Sequence, residues 1–452
     1  MSVFVKEKEF YKKVLKIGAP VAAQQCITVG VNMMDTIMLG RVTETALAAS
    51  SMATQVHNLF HFMSMGMGMG SAVLIARYWG AKDDRSLRKT LSLMYRIVFL
   101  IATLFTLAVA LFPQLIMSLM TSEGPVAEEG VRYLQWTIPC FILHGFTQTT
   151  TIVLRNSKQL KIPLYTAIGA FFINVFANWV FIFGKLGAPA MGIAGAALGT
   201  TISRVFEFVI VCGFMFFKDE KIRYRIRNIF DPAGDLLKEY LRISIPVMIS
   251  DTLLGVGNSV VVSISGHIGQ TFMAANTITN VVQQTASVFS VAIGQAAVIV
   301  IGNTLGEGKR DDAQKQGYTF VLLGLLLSLM MGILIWAFGP LMISYYKVSE
   351  ETAAMALELM HAVSFIAGWF LMGSILTKGV LRGGGDTRFL MFADILFLWL
   401  ISVPLGYAAG IVWHWPPFLI LCALRIDNLI KAVWCVFRLR SGKWVKKIRS
   451  AG

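Results

Sequence analysis

Long apolar runs separated by short charged segments dominate this chain. They lack the period-two alternation of a half-buried strand, and each is long enough to be a helix. A helix needs about 20 apolar residues to cross a bilayer. On that measure the sequence predicts twelve membrane-spanning helices, at about 14–40, 51–79, 91–117, 131–155, 163–184, 190–217, 240–266, 275–304, 317–343, 353–381, 389–413 and 416–438. The longest polar interruption, 218–239 (KDEKIRYRIRNIFDPAGDLLKE), divides the spans into six before it (1–217) and six after it (240–452). The expected fold class is all-α and integral to a membrane.

Composition sharpens this picture. Of 452 residues, 56% are hydrophobic and 14% charged, too apolar for a soluble domain. A formal charge of +15 would suit nucleic acid, but its distribution points elsewhere. With the amino terminus inside, 31 Lys and Arg fall on the inner segments and 4 (Arg41, Arg132, Lys185, Lys347) on the outer loops. The positive-inside rule then sets both termini of this multi-pass membrane protein in the cytoplasm. The basic loops meet lipid headgroups, so no nucleic-acid partner is expected. All five cysteines lie in apolar segments and their number is odd, which suggests neither a disulfide framework nor a metal cage. The basic stretch KEKEFYKKVLK leads directly into a full-length span, without the pattern of a cleavable signal.

The two halves repeat. Moved back by 226 residues, the second half superposes Pro246 on Pro20, Asn258 on Asn32, Gly266 on Gly40, Gly294 on Gly68 and Gly306 on Gly80. One residue further, Leu381-Arg382 falls on Leu154-Arg155. Six spans per half start both halves on the same face. The expectation is two six-helix bundles related by a pseudo-two-fold axis along the membrane normal, the architecture of an alternating-access transporter.

Candidate chemistry begins with Asp35, the only charge between Ile17 and Leu39. A carboxylate inside a span is costly and marks an ion path, a proton relay or a ligand site. Asn174, Asn178 and Thr200 fall at similar depth by helix rise, with Asp35 roughly 7–8 Å from the outer end of its span. Asn174 and Asn178, four apart, share a helix face. Two chemistries fit this coupling site, beside a purely structural hydrogen-bond cluster. The four oxygens can wrap a hard cation such as Na⁺, or Asp35 can carry a proton. Pro20 interrupts the helix ladder of the first span and is a candidate hinge. Met34, Met38, Met63 and Met67 are candidates for a substrate pocket, since flexible thioethers suit varied ligands.

The first span (GAPVAAQQCITVGVNMMDTIMLG), the segments INVFANWVFIFG and GIAGAALGTTIS, and the loop Arg382-Gly383-Gly384-Gly385-Asp386-Thr387-Arg388 together resemble the multidrug and toxic compound extrusion (MATE) family, and within it the DNA-damage-inducible-protein-F-like branch. The resemblance covers nearly the whole chain. It implies a monomeric efflux pump, without cofactor, that exports cationic or amphiphilic drug-like molecules in exchange for H⁺ or Na⁺. Some members carry sodium-binding acids on the seventh and tenth spans; this chain has Leu254 and Leu371 there. Several carry Asp where this chain has Asn178. The resemblance therefore leaves Asp35 as the only acid of the cluster, which favours H⁺.

Other polar residues read as supporting parts. Arg204 with Glu207 and Asp427 with Lys431 stand at ion-pair spacing. Asp394 and Asp251 sit near inner ends, where a carboxylate can reach interfacial water. His57 and His61, one turn apart, lack the glutamate and third ligand of a zinc site. A flippase for a lipid-linked sugar is the second reading, but the few intramembrane cations argue against a pyrophosphate cavity. No phosphate loop, metal triad or nucleophile motif suggests an enzyme.

Overall fold

A computed structural model describes residues 4–121, 124–344 and 349–446. Lys347, one of the four cations expected in outer loops, lies outside them. Among these residues the long elements are α1 (Lys8–Leu39), α2 (Glu44–Ala81), α3 (Asp84–Leu111), α4 (Pro113–Met120), α5 (Gly124–Asn156), α6 (Lys161–Phe183), α7 (Ile193–Gly213), α8 (Gly234–Ile268), α9 (Gln270–Gly306), α10 (Arg310–Ser344), α11 (Glu350–Ser374), α12 (Thr387–Phe397), α13 (Val403–Tyr407), α14 (Pro417–Leu424) and α15 (Ile426–Arg440). Ten helical stretches are long and apolar enough to cross a membrane. The other two of the twelve spans are α5, whose first turns carry Glu128, Glu129 and Arg132, and the pair α14–α15.

Local chemistry explains the breaks. The third span ends early because Pro113 cannot continue a helix from the preceding residue, and instead takes the first turn of α4. The last span breaks at Arg425, whose backbone leaves the helical region (φ −124°, ψ 12°). At the start of α3 the Asp83 carboxylate accepts the Ser86 N–H at 3.0 Å, a cap worth about 1 kcal/mol. At the end of α6 Gly184 turns left-handed (φ 66°), and the Lys185 N–H donates to the Val180 carbonyl at 2.9 Å. Widened π turns follow α11 (Ile375–Leu381), α12 (Leu398–Ser402) and α13 (Ala408–Val412).

Two compact units emerge. Within the described residues, one comprises the first 22 positions, 76–82 and the chain from 242 onward; the second comprises 23–75 and 83–241. The change of unit along α1 falls between Ala22 and Ala23, two residues past Pro20. Each unit has its own core. Phe60, Leu134, Phe141 and Ala197 belong to the core of the second unit, and Ile278, Leu359, Met360 and Leu424 to that of the first.

Helix association within a bilayer rests on close packing through small residues, because lipid is as apolar as leucine. In the second unit, a Cβ at Gly68 would fall 2.6 Å from the Ile152 side chain. In the first, the ends of α2 and α9 meet backbone to backbone. A Cβ at Gly80 would lie 2.2 Å from the Asn303 carbonyl oxygen, and one at Gly306 would lie 2.1 Å from that of Arg77. Residues 77 and 303 are separated by the same offset as Gly80 and Gly306.

Candidate functional site

Asp35 sits about one turn before the end of α1, where the second unit brings α1, α6, α7 and α5 together. The Asn178 side chain donates from Nδ2 to Asp35 Oδ1 at 2.6 Å, a charge-assisted length. The same Nδ2 lies 3.3 Å from Asn174 Oδ1. Both asparagines are fully buried and Asp35 is half-buried. Two amide atoms, Asn178 Oδ1 and Asn174 Nδ2, are buried with no hydrogen-bond partner.

The close fit comes from α7. Gly199 has no side chain, and a Cβ there would lie 2.1 Å from Asn178 Oδ1. Thr200, the next residue, is half-buried and accepts the Ser203 hydroxyl on its carbonyl at 2.8 Å. Its side chain neighbours the Tyr133 hydroxyl of α5, which also lies by Thr54 and within electrostatic reach of Asp35. Arg204, one turn along α7, is paired with Glu207 at 2.7 Å and is the cation within reach of Asp35. Asp35, Asn174 and Asn178 thus form one hydrogen-bonded set. Thr200 bonds to Tyr133 instead, which lies within electrostatic reach of Asp35.

The four methionines separate. Met34 and Met38 line an open groove of about 490 Å³ between α1 and α6, with Phe172, Phe176 and Trp179 among its walls. Met67 is buried in the packing of α2, and neither it nor Met63 lines that groove. Pro20 lies inside α1, fifteen residues before Asp35.

Sequence reasoning overlooked several partners. Tyr133, Thr54 and Gly199 carry no signature that separates them from ordinary helix packing. His144 of α5 is another: its Nε2 lies 3.1 Å from His61 Nδ1, a pairing across 83 positions. Among the described residues no group of three or more His, Cys, Asp or Glu side chains is placed to hold a metal.

The first unit buries its acids in pairs. Arg382 donates to both oxygens of Asp251, at 3.1 and 2.8 Å. Lys431 lies 2.9 Å from Asp394 and 3.8 Å from Asp427. Asp394 also accepts from Ser250, and Asp427 from Ser402 at 3.1 Å. Asp394 and Asp251 are therefore satisfied by cations in the helix interior rather than by interfacial water. Their depth counted from a helix end did not show this, because the partner helices cover them.

The MatE family profile matches this chain twice, over residues 20–180 and 246–408. The chain belongs to the MATE family. The two matches begin at Pro20 and Pro246, the same offset that relates the internal repeat. The chain is 24% identical to the probable multidrug resistance protein NorM of Thermotoga maritima, over 97% of this chain and 94% of that one. It is 23% identical to the multidrug resistance protein MdtK of Yersinia enterocolitica, over 97% and 96%, and 22% identical to the uncharacterized transporter YisQ of Bacillus subtilis, over 91% and 90%. Its fold matches a MATE solved in complex with MaL6 (TM-score 0.87, 17% identity, 96% of this chain and 97% of that one). It also matches a multidrug resistance MATE family transporter in the outward-facing conformation (0.86, 18%, 96% of each). Twelve spans in two bundles is the fold of this MATE chain. It is a multi-pass membrane transporter rather than an enzyme, with multidrug transporters as relatives.

Proposed function

We propose that this MATE chain exports cationic or amphiphilic small molecules in exchange for H⁺, with Asp35 as the proton carrier. Both termini are cytoplasmic in this reading. The halves 1–217 and 240–452 rock about the linker 218–239 to give alternating access. The observation that carries it is the 2.6 Å hydrogen bond from Asn178 to Asp35, placed among the spans of the second unit.

The amide network supplies a mechanism. As a carboxylate, Asp35 accepts the Asn178 N–H. Once protonated, Asp35 presents a donor instead. A half-turn of the Asn178 amide then offers its unpartnered Oδ1 to the Asp35 O–H. A matching half-turn of the Asn174 amide, whose Oδ1 now faces Asn178 Nδ2, then gives its unpartnered Nδ2 that oxygen as an acceptor. Proton uptake thereby changes which groups between α1 and α6 are satisfied. Buried polar groups left unpaired cost about 1–3 kcal/mol each, enough to bias a two-state bundle. Met34 and Met38 lie on the same stretch of α1 as Asp35, so a change there reaches the groove they line.

Ion-driven export of a cationic dye from proteoliposomes, with proton and sodium gradients imposed separately, tests this reading. A pH gradient without sodium is expected to drive export. Export seen only with a sodium gradient would instead assign the oxygens of Asp35, Asn174, Asn178 and Thr200 to Na⁺.

A further inference from the structure

The interior of the second unit continues to be polar well beyond the Asp35 cluster. Asp35 is roughly 6 Å from the Leu39 end of α1 by helix rise. Along α2, which starts from the adjoining turn, His57 falls roughly 20 Å and His61 roughly 26 Å from its beginning. His57 Nε2 lies 2.9 Å from Thr137 Oγ1, and its ring stacks on Phe141 with centroids 4.6 Å apart. One turn further, His61 Nδ1 meets His144 Nε2 at 3.1 Å. Three residues on along each helix come Ser64 and Thr147. Ser64 Oγ, Thr147 Oγ1 and His144 Nδ1 are all buried without a hydrogen-bond partner.

The surroundings bear on what the pair can do. Arg204 and His57 are the cationic or titratable groups within electrostatic reach of His144 besides His61. Glu207 neutralises Arg204. From α3 comes Tyr95, whose hydroxyl bonds to Thr150 at 2.9 Å. Packing alone does not account for three unsatisfied polar atoms within about one helical turn of this pair, since apolar side chains of the same size would avoid their cost.

We propose that His61 and His144 form a second proton site of this bundle, through which protons pass between the Asp35 cluster and the opposite membrane face. The inference rests on the H⁺ reading. In the step, a hydronium ion gives a proton to His61 Nε2, the Nδ1–H of His61 passes to His144 Nε2, and His144 gives its own Nδ1 proton to a water molecule that enters beside it. One proton enters, one leaves, and both rings end neutral in the other tautomer.

The full-length protein in proteoliposomes provides the test, with a cationic dye followed in two modes. One is export driven by a pH gradient; the other is dye–dye exchange at equal pH, which needs no net proton movement. H61Q and H144Q are each expected to slow gradient-driven export by about 10-fold or more, with exchange unchanged within about twofold. Added imidazole is expected to restore part of the lost rate. Gradient-driven rates equal to wild type would overturn the proposal, as would export and exchange falling together without rescue. If H144Q does not insert, H61Q interrogates the same hydrogen bond. Wild-type protein that ignores a pH gradient would instead remove the H⁺ reading itself.

Discussion

Gly199 of α7 lies so close to the Asn178 amide that a Cβ would stand 2.1 Å from Oδ1 and 3.1 Å from the backbone nitrogen. The missing side chain lets α7 rest on the asparagine that holds Asp35. Gly199→Val is expected to push α7 away, to cost about 1–3 kcal/mol by overpacking, and to abolish ion-driven export. Thermal unfolding in detergent together with dye transport checks both effects. A variant as stable and active as wild type would mean that the contact is loose.

Asp35→Asn is expected to leave the protein inserted and folded but without gradient-driven export. The amide keeps the size of the carboxylate and loses the charge change that coupling needs. Transport at the wild-type rate in this variant would reduce Asp35 to a packing group.

Asn178→Leu removes both the donor that Asp35 uses and the acceptor that protonated Asp35 would use. Its export is expected to match that of Asp35→Asn, and the double variant to be no worse than either. Groups that act as one unit lose their effect once. Additive losses in a double-mutant cycle would separate the two residues.

Lys431 serves two buried carboxylates. Lys431→Met removes the ion-pair partner of Asp394 and Asp427 and leaves them only the more distant Lys378 and Arg425, at an expected cost of about 3 kcal/mol. Replacing Lys431 with Met and both acids with Leu is expected to recover most of that loss, because apolar groups need no partner. Melting temperatures of the two variants decide this; equal temperatures would show that the lysine contributes little.

Much of the fold is legible in the sequence because bilayer thickness imposes a length on every apolar run. Breaks inside spans are harder to see. The expected third span runs through Pro113 to about 117, although a proline there marks the break between α3 and α4, and Arg425 breaks the last span without a proline or glycine beside it. At the site, Asp35 stands out as a lone acid and the spacing of Asn174 and Asn178 fixes a shared face. Their bond to Asp35 depends on how α6 is rotated against α1, which no local pattern encodes. Tyr133 comes from α5, nearly a hundred residues from Asp35, and only packing brings it near; packing likewise sets His144 of α5 against His61. Asp394 misleads for the same reason, since its distance from a helix end says nothing of Lys431 on another helix.

The meeting of α2 and α9 carries a different meaning. Gly80 rests on the carbonyl of Asn303 and Gly306 on that of Arg77, so each partner in one contact has its repeat equivalent in the other. An isologous interface between two identical subunits has this form. The contact is therefore what a homodimer of half-length chains would leave behind once its subunits were joined end to end. Its two glycines are mirror copies of one requirement, and Gly80→Val and Gly306→Val are expected to lower the melting temperature by similar amounts.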